Sequence, residues 1–249
     1  MSAKTRNSLI KNLHSAIPHG QPMDIALLSE VGISSFLAAK YAQSGWLQRL
    51  TQGIYAFSGD ELNRDQCLLF LQSHIASLHV AGKTALAWQG IQHNVSTHEH
   101  LILWGNNKRV KLPEWFVKKF PASYQSASLF SPKILTFGII TPPGFLEGLH
   151  ISAPERAVLE MLYEVGKSQD LEEAKNLFES LRGLRFEVMG KLLSQCTSVK
   201  TVRLFLRWAK ETQTLDVDAL RKKYLLPVGS ASRWIGRMAD GTLLSLPHD

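Results

Sequence analysis

The 249-residue chain is short of several features that would assign it quickly. It has two cysteines, Cys67 and Cys196, and no CxxC pair, so neither a disulfide framework nor a zinc ribbon is indicated. No run approaches the ~18 apolar residues of a membrane span, and the N-terminus lacks the apolar core of a secretory signal. No membrane partner is expected, and a reducing cytoplasm is the expected location. A phosphate-binding loop would need a glycine five residues before Gly82-Lys83-Thr84, where Ser77 stands, so that triplet reads as a helix start. Between Glu30 and Asp60 there is no acidic residue at all.

That carboxylate-free stretch carries the strongest local pattern. Asp24 can cap a first helix, along which Leu27, Leu28 and Val31 form one apolar stripe. Gly32 supplies the left-handed residue that stops it. Ser34 can cap a second helix, with Leu37 and Tyr41 facing inward and Gly45 ending it. Trp46 to Leu50 and Ile54 to Phe57 suit β-strands, joined through Thr51, Gln52 and Gly53. Helix, turn, helix and hairpin in this order describe a winged helix-turn-helix. Ser34, Ser35, Lys40 and Gln43 lie off the inward stripe and are expected at the DNA major groove. Arg49 and Gln52 are expected on the wing, against phosphate or minor groove. Carboxylates here would repel an anionic backbone, and none is present. Leu37, Tyr41 and Trp46 are expected in the supporting core.

The net charge is +7, but its distribution says more. From Arg182 to Arg237 there are twelve Lys and Arg against four Asp and Glu, which leaves the rest of the chain at −1. Within that region Lys200, Arg203, Arg207 and Lys210 follow i, i+3, i+7, i+10 spacing and form a possible second basic surface. Such a stripe suits a phosphate backbone and equally suits a solvated helix face, so both readings stand.

The fold class expected is α+β, with an N-terminal winged helix-turn-helix domain over residues 1–60. Ahead of it, Leu9, Ile10, Leu13, Ala16 and Ile17 suit a short helix packed beneath the helix-turn-helix. Residues 61–249 are expected to form a larger domain, mixed α/β to about residue 151 and mainly helical beyond. Helices are expected from Leu62 to Leu78 and from Lys83 to Gly90, with short strands over 98–151. Ser152 and Glu155 read as a capping box opening a helix buried through Val158, Met161, Leu162 and Val165. Glu155, Glu160, Glu164, Glu172 and Glu173 read as solvated charge. His98 and His100 could share one face of a strand, without a third ligand at motif spacing. No catalytic residue, cofactor or metal is assigned.

Five segments then resemble one family. They are S-G-W-L-Q-R-L-T-Q-G-I-Y (Ser44 to Tyr55), G-K-T-A-L (Gly82 to Leu86), K-L-P-E-W-F (Lys111 to Phe116), S-A-P-E-R-A-V-L-E-M-L-Y (Ser152 to Tyr163) and S-V-K-T-V-R-L-F-L (Ser198 to Leu206). In this order they resemble the AbiEi antitoxins of bacterial type IV toxin–antitoxin systems, in their long form. The resemblance implies an autorepressor that binds inverted repeats in its own promoter. It also implies a C-terminal domain, here 61–249, that counters a nucleotidyltransferase-like toxin without a stable complex. Two alternatives remain open: a neutraliser that grips the toxin directly, and an enzyme acting on nucleotide or RNA.

Overall fold

The computed structural model describes residues 3–92, 99–239 and 241–248. The chain divides into two compact units. The first comprises Met1–Ile75 with Leu112–Pro121 and Gly144–Leu149; the second holds the remaining segments.

In the first unit, helix α1 (Ala3–Ala16) is followed by strand β1 (Met23–Asp24), helices α2 (Ile25–Glu30) and α3 (Ser35–Gln43), and strands β2 (Leu47–Thr51) and β3 (Ile54–Phe57). The three strands form an antiparallel sheet in the order β1-β3-β2. Ile10, Leu13 and Ile17 pack with Leu28, Ile33, Leu37, Tyr41, Leu47, Tyr55 and Phe57 in one core, so the first helix does lie under the helix-turn-helix. Both expected caps form: an Asp24 carboxylate oxygen accepts from the Leu27 N–H at 2.7 Å, and the Ser34 hydroxyl oxygen from the Leu37 N–H at 3.3 Å. Gly32 has φ +82°, the left-handed conformation that ends α2. At the wing tip Gly53 has φ +77°, and Thr51 pairs with Ile54 across a local bulge.

The unit continues past the 60/61 boundary expected from sequence. The Asp60 carboxylate accepts from the Gly20 N–H at 3.0 Å and meets His19 Nδ1 at 2.9 Å, while the Asn63 N–H donates to the Gly20 carbonyl. These bonds tie the segment after the wing to the 18–22 turn. Helix α4 (Arg64–His74) follows, shorter than the expected Leu62–Leu78, and its His74 Nε2 sits 2.8 Å from Asp24.

The second unit is built on a five-stranded mixed sheet. Its strands are β4 (His79–Val80), β5 (Leu101–Trp104), β6 (Ala122–Gln125), β7 (Ile139–Ile140) and β8 (Ile151–Ser152), ordered β6-β5-β4-β8-β7. Helix α5 (Gly82–Trp88) precedes β5, and α6 (Glu114–Lys119), which belongs to the first unit, lies in a stretch expected to be strand and turn. Then come α7 (Pro154–Glu164), α8 (Leu171–Glu179), α9 (Phe186–Ser194), α10 (Val199–Thr212) and α11 (Val217–Lys223). A final antiparallel hairpin joins β9 (Trp234–Arg237) to β10 (Leu243–Leu246). The helices α7–α11 make the part beyond residue 151 mainly helical, as expected; the β9–β10 hairpin does not follow from the sequence pattern.

Helix α7 departs from expectation in its charges. Its first residue follows Ala153, which makes no side-chain cap, so the capping box does not form. The Ser152 hydroxyl instead donates to Glu160 at 2.7 Å, and Glu155 accepts from the Arg185 backbone and guanidinium at 2.8–2.9 Å. Glu155, Glu160 and Glu164 are buried, not solvated. The reason is pairing: each finds its donors inside the fold, which is what makes a buried carboxylate tolerable.

Candidate nucleic-acid interface

Helix α3 spans nine residues, roughly 13 Å at 1.5 Å rise per residue. That length matches a major groove about 12 Å wide. Its inward face is Leu37, Ala38 and Tyr41, all buried in the unit's core. Everything expected to meet DNA is exposed: Ser34, Ser35, Lys40 and Gln43 along α3, and Arg49 and Gln52 on the wing. The Ser34 oxygen is engaged in capping, a bond that leaves its hydroxyl proton unused. Arg49 folds back along its strand, with Nε 3.4 Å from the Thr51 carbonyl.

Two aromatic residues change the picture of this surface. Trp46, expected in the core, is 50% exposed. Its backbone explains the outward turn: the N–H donates to the Tyr41 carbonyl and the carbonyl accepts from Ser58, which spends the inward position on Leu47. Phe36 is 69% exposed, and sequence reasoning missed it. The signal was available, because Phe36, Lys40 and Gln43 stand at i, i+4, i+7, opposite the Leu37/Tyr41 stripe. The Lys40 ammonium rests 4.5 Å from the centre of the Phe36 ring, a cation–π contact that holds the charge on the exposed face.

Residues 6–97 match the family described as transcriptional regulator, AbiEi antitoxin N-terminal domain. Residues 98–246 match the one described as transcriptional regulator, AbiEi antitoxin, type IV TA system. The chain belongs to the AbiEi antitoxin family. Among solved structures it is similar to the RV2827C protein from Mycobacterium tuberculosis, with a TM-score of 0.55 and 14% identity over 93% of this chain and 89% of that one. At that identity the likeness is one of fold. No curated protein matches. No helix among the described residues is long and apolar enough to cross a membrane.

The other basic surface of this AbiEi antitoxin is not what its spacing suggests. Arg203 is 4% exposed, and its guanidinium donates to the carbonyls of Val228, Ser230, Ser232 and Leu246. It clamps the C-terminal segment onto α10 and has no face left for phosphate. Lys200 donates to the carbonyls of Tyr163 and Val165 at 2.6 and 2.7 Å. Burial, with the Lys167 charge nearby, lowers its pKa to about 8. Only Arg207 and Lys210 remain exposed, and Arg207 is paired with Glu211 at 2.9 Å. These two line an open cleft with Arg221, Arg233 and Asp218.

Residues with possible chemistry elsewhere are likewise engaged. Gly82, Lys83 and Thr84 do open a helix, α5. The Gly82 N–H donates to Glu160, Lys83 pairs with Glu173 at 3.0 Å, and Thr84 bridges the His100 carbonyl and the Ile102 N–H. Glu160 also accepts from Arg156 Nε at 2.8 Å and meets His79 Nε2 at 3.0 Å. Burial alone would raise its carboxyl, but His79, Arg156 and Ser152 outweigh that and lower it to about 2. The D-x-D triplet Asp216-Val217-Asp218 opens α11, where the Asp216 carboxylate accepts from the Ala219 N–H at 2.9 Å. No group of three metal-ligating side chains occurs among the described residues, and His98 lies outside them.

Proposed function

We propose that this AbiEi antitoxin represses its own operon by binding inverted repeats in the promoter as double-stranded DNA. The observation that carries the reading is the outer face of α3: exposed, free of carboxylates, and seated on a closed core with Ser34 capping the helix start. Ser35, Lys40 and Gln43 meet base edges, Ser34 a phosphate beside the helix N-terminus, and Arg49 and Gln52 a phosphate or the minor groove. Phosphate contacts set affinity and its salt dependence, and α3 sets sequence preference.

The same reading holds that the second unit counters a nucleotidyltransferase-like toxin without forming a stable complex, acts in the cytoplasm and is not an enzyme. Support for the last point is that the buried carboxylates of α7 are each held by donors from this chain. A gel-shift titration of the full chain on the DNA upstream of its gene, with nonspecific competitor, tests the repressor role. A retained shift at competitor excess is expected; loss of all binding to competitor sinks it. Co-elution of antitoxin and purified toxin as a stoichiometric complex would replace the second part with direct capture.

A further inference from the structure

The feature this reading leaves unused is Phe36. A phenylalanine that is 69% exposed sits within the face expected to lie in a groove, one turn before Lys40. The first unit has no need of it for folding: its core is closed by Leu37, Tyr41 and their partners on the opposite side of the helix. The other exposed residues of α3, Ser35, Lys40 and Gln43, are polar or cationic, and the nearest acidic residues along the chain are Glu30 and Asp60. An apolar protein partner would meet Lys40, Gln43 and Ser35 at its margin; DNA would meet them as ordinary groove contacts. In the major groove one feature of a base edge is apolar, the thymine C5-methyl group.

Resting on the proposal that α3 enters the major groove, we infer that Phe36 is a specificity residue that reads a thymine methyl. The second residue of α3 is well placed for this, since the N-terminal turn of a recognition helix meets base edges first. The Lys40 ammonium over the ring, 4.5 Å from its centre, adds a fixed charge beside the apolar contact. It can reach a guanine edge or a phosphate next to the thymine. The pair thus favours a thymine at one defined position of each half-site and disfavours cytosine, which lacks the methyl.

The test is a cycle on the operator with the full chain. Each thymine of a half-site is replaced singly by deoxyuridine, which removes the methyl and keeps the base pair. For the wild-type chain one position loses about fourfold in affinity, the worth of burying one methyl group. Phe36→Ala binds the unmodified operator more weakly and is indifferent to that same replacement, while Phe36→Leu keeps part of the sensitivity. Specific binding with no deoxyuridine-sensitive position, or equal sensitivity in Phe36→Ala, overturns the inference and leaves the repressor reading intact. Sedimentation that shows a wild-type dimer lost in Phe36→Ala, without any change in the deoxyuridine profile, assigns the ring to a second copy of the chain instead. Absence of any specific operator binding by the wild type removes both.

Discussion

Helices α3 and α10 carry similar side chains and use them in opposite ways. On α3 one face is buried and the other is open, so Lys40 and Gln43 project outward. On α10 most residues from Thr201 to Ala209 are buried, and two of the four cations that sequence spacing puts on one stripe, Lys200 and Arg203, are drawn inward. Arg203 holds four carbonyls and Lys200 two. Cationic spacing along a helix therefore says little about phosphate contact until the number of packed faces is known. A helix packed on one side presents its charges; one packed on several sides uses them as internal struts.

The largest effect is expected where charge is most deeply internal. Glu160→Ala leaves Arg156, His79, Ser152 and the Gly82 N–H without their shared acceptor, and should cost about 3–5 kcal/mol of stability. Urea unfolding measures it. A loss within experimental error would mean that the four donors find water or other partners. Next comes Arg203→Ala, which orphans four carbonyls and should cost about 2–3 kcal/mol. Arg203→Lys should recover little, because a single ammonium cannot replace the planar fork. Arg207→Ala, removing an exposed pair from the same helix, should stay within about 0.5 kcal/mol. Equal losses at positions 203 and 207 would erase the distinction between strut and surface.

Acid should reveal the same internal carboxylates. The folded pKa of Glu160, about 2, lies below its unfolded value. Asp24 and Asp60 are also lowered: burial raises each, but the Leu27 N–H and His74 outweigh it at Asp24, as His19 and the Gly20 N–H do at Asp60. A depressed carboxyl contributes stability that is fully present above its unfolded pKa and is lost as pH falls through the folded one. The melting temperature should therefore hold from pH 7 to about 5 and fall steadily toward pH 2. Glu160→Gln should lower the plateau and flatten the decline. A wild-type midpoint that does not move down to pH 3 would contradict these assignments.

A smaller effect is expected at the wing. Arg49→Ala should weaken binding to all DNA sequences similarly and reduce the salt slope by about 1. Loss confined to the specific site, read from the same titrations at several salt concentrations, would move Arg49 from phosphate to base contact.

The first unit was legible because its signals are local. The Asp24 and Ser34 caps, the Gly32 stop and the Gly53 turn each act within four residues, and each forms as read. Trp46 misled because its aromatic character suggested burial, whereas strand alternation gives the inward place to Leu47. The second unit was less legible because its decisive contacts span long separations. His79 reaches Glu160 across 81 residues, Arg185 meets Glu155 across 30, and Arg203 bonds Leu246 across 43. No periodicity announces such pairs. Its strands are two to four residues long, too short to leave a clear alternation.

The most direct measurement compares the two helices on one operator. Full-length Lys40→Ala/Gln43→Ala and Arg207→Ala/Lys210→Ala are titrated by fluorescence anisotropy, each against specific and scrambled DNA at fixed salt. The α3 pair should lose about tenfold or more of specific affinity, bringing operator and scrambled DNA together, while the α10 pair keeps the wild-type ratio. If instead the α10 pair collapses that ratio and the α3 pair preserves it, sequence reading does not reside in the winged helix.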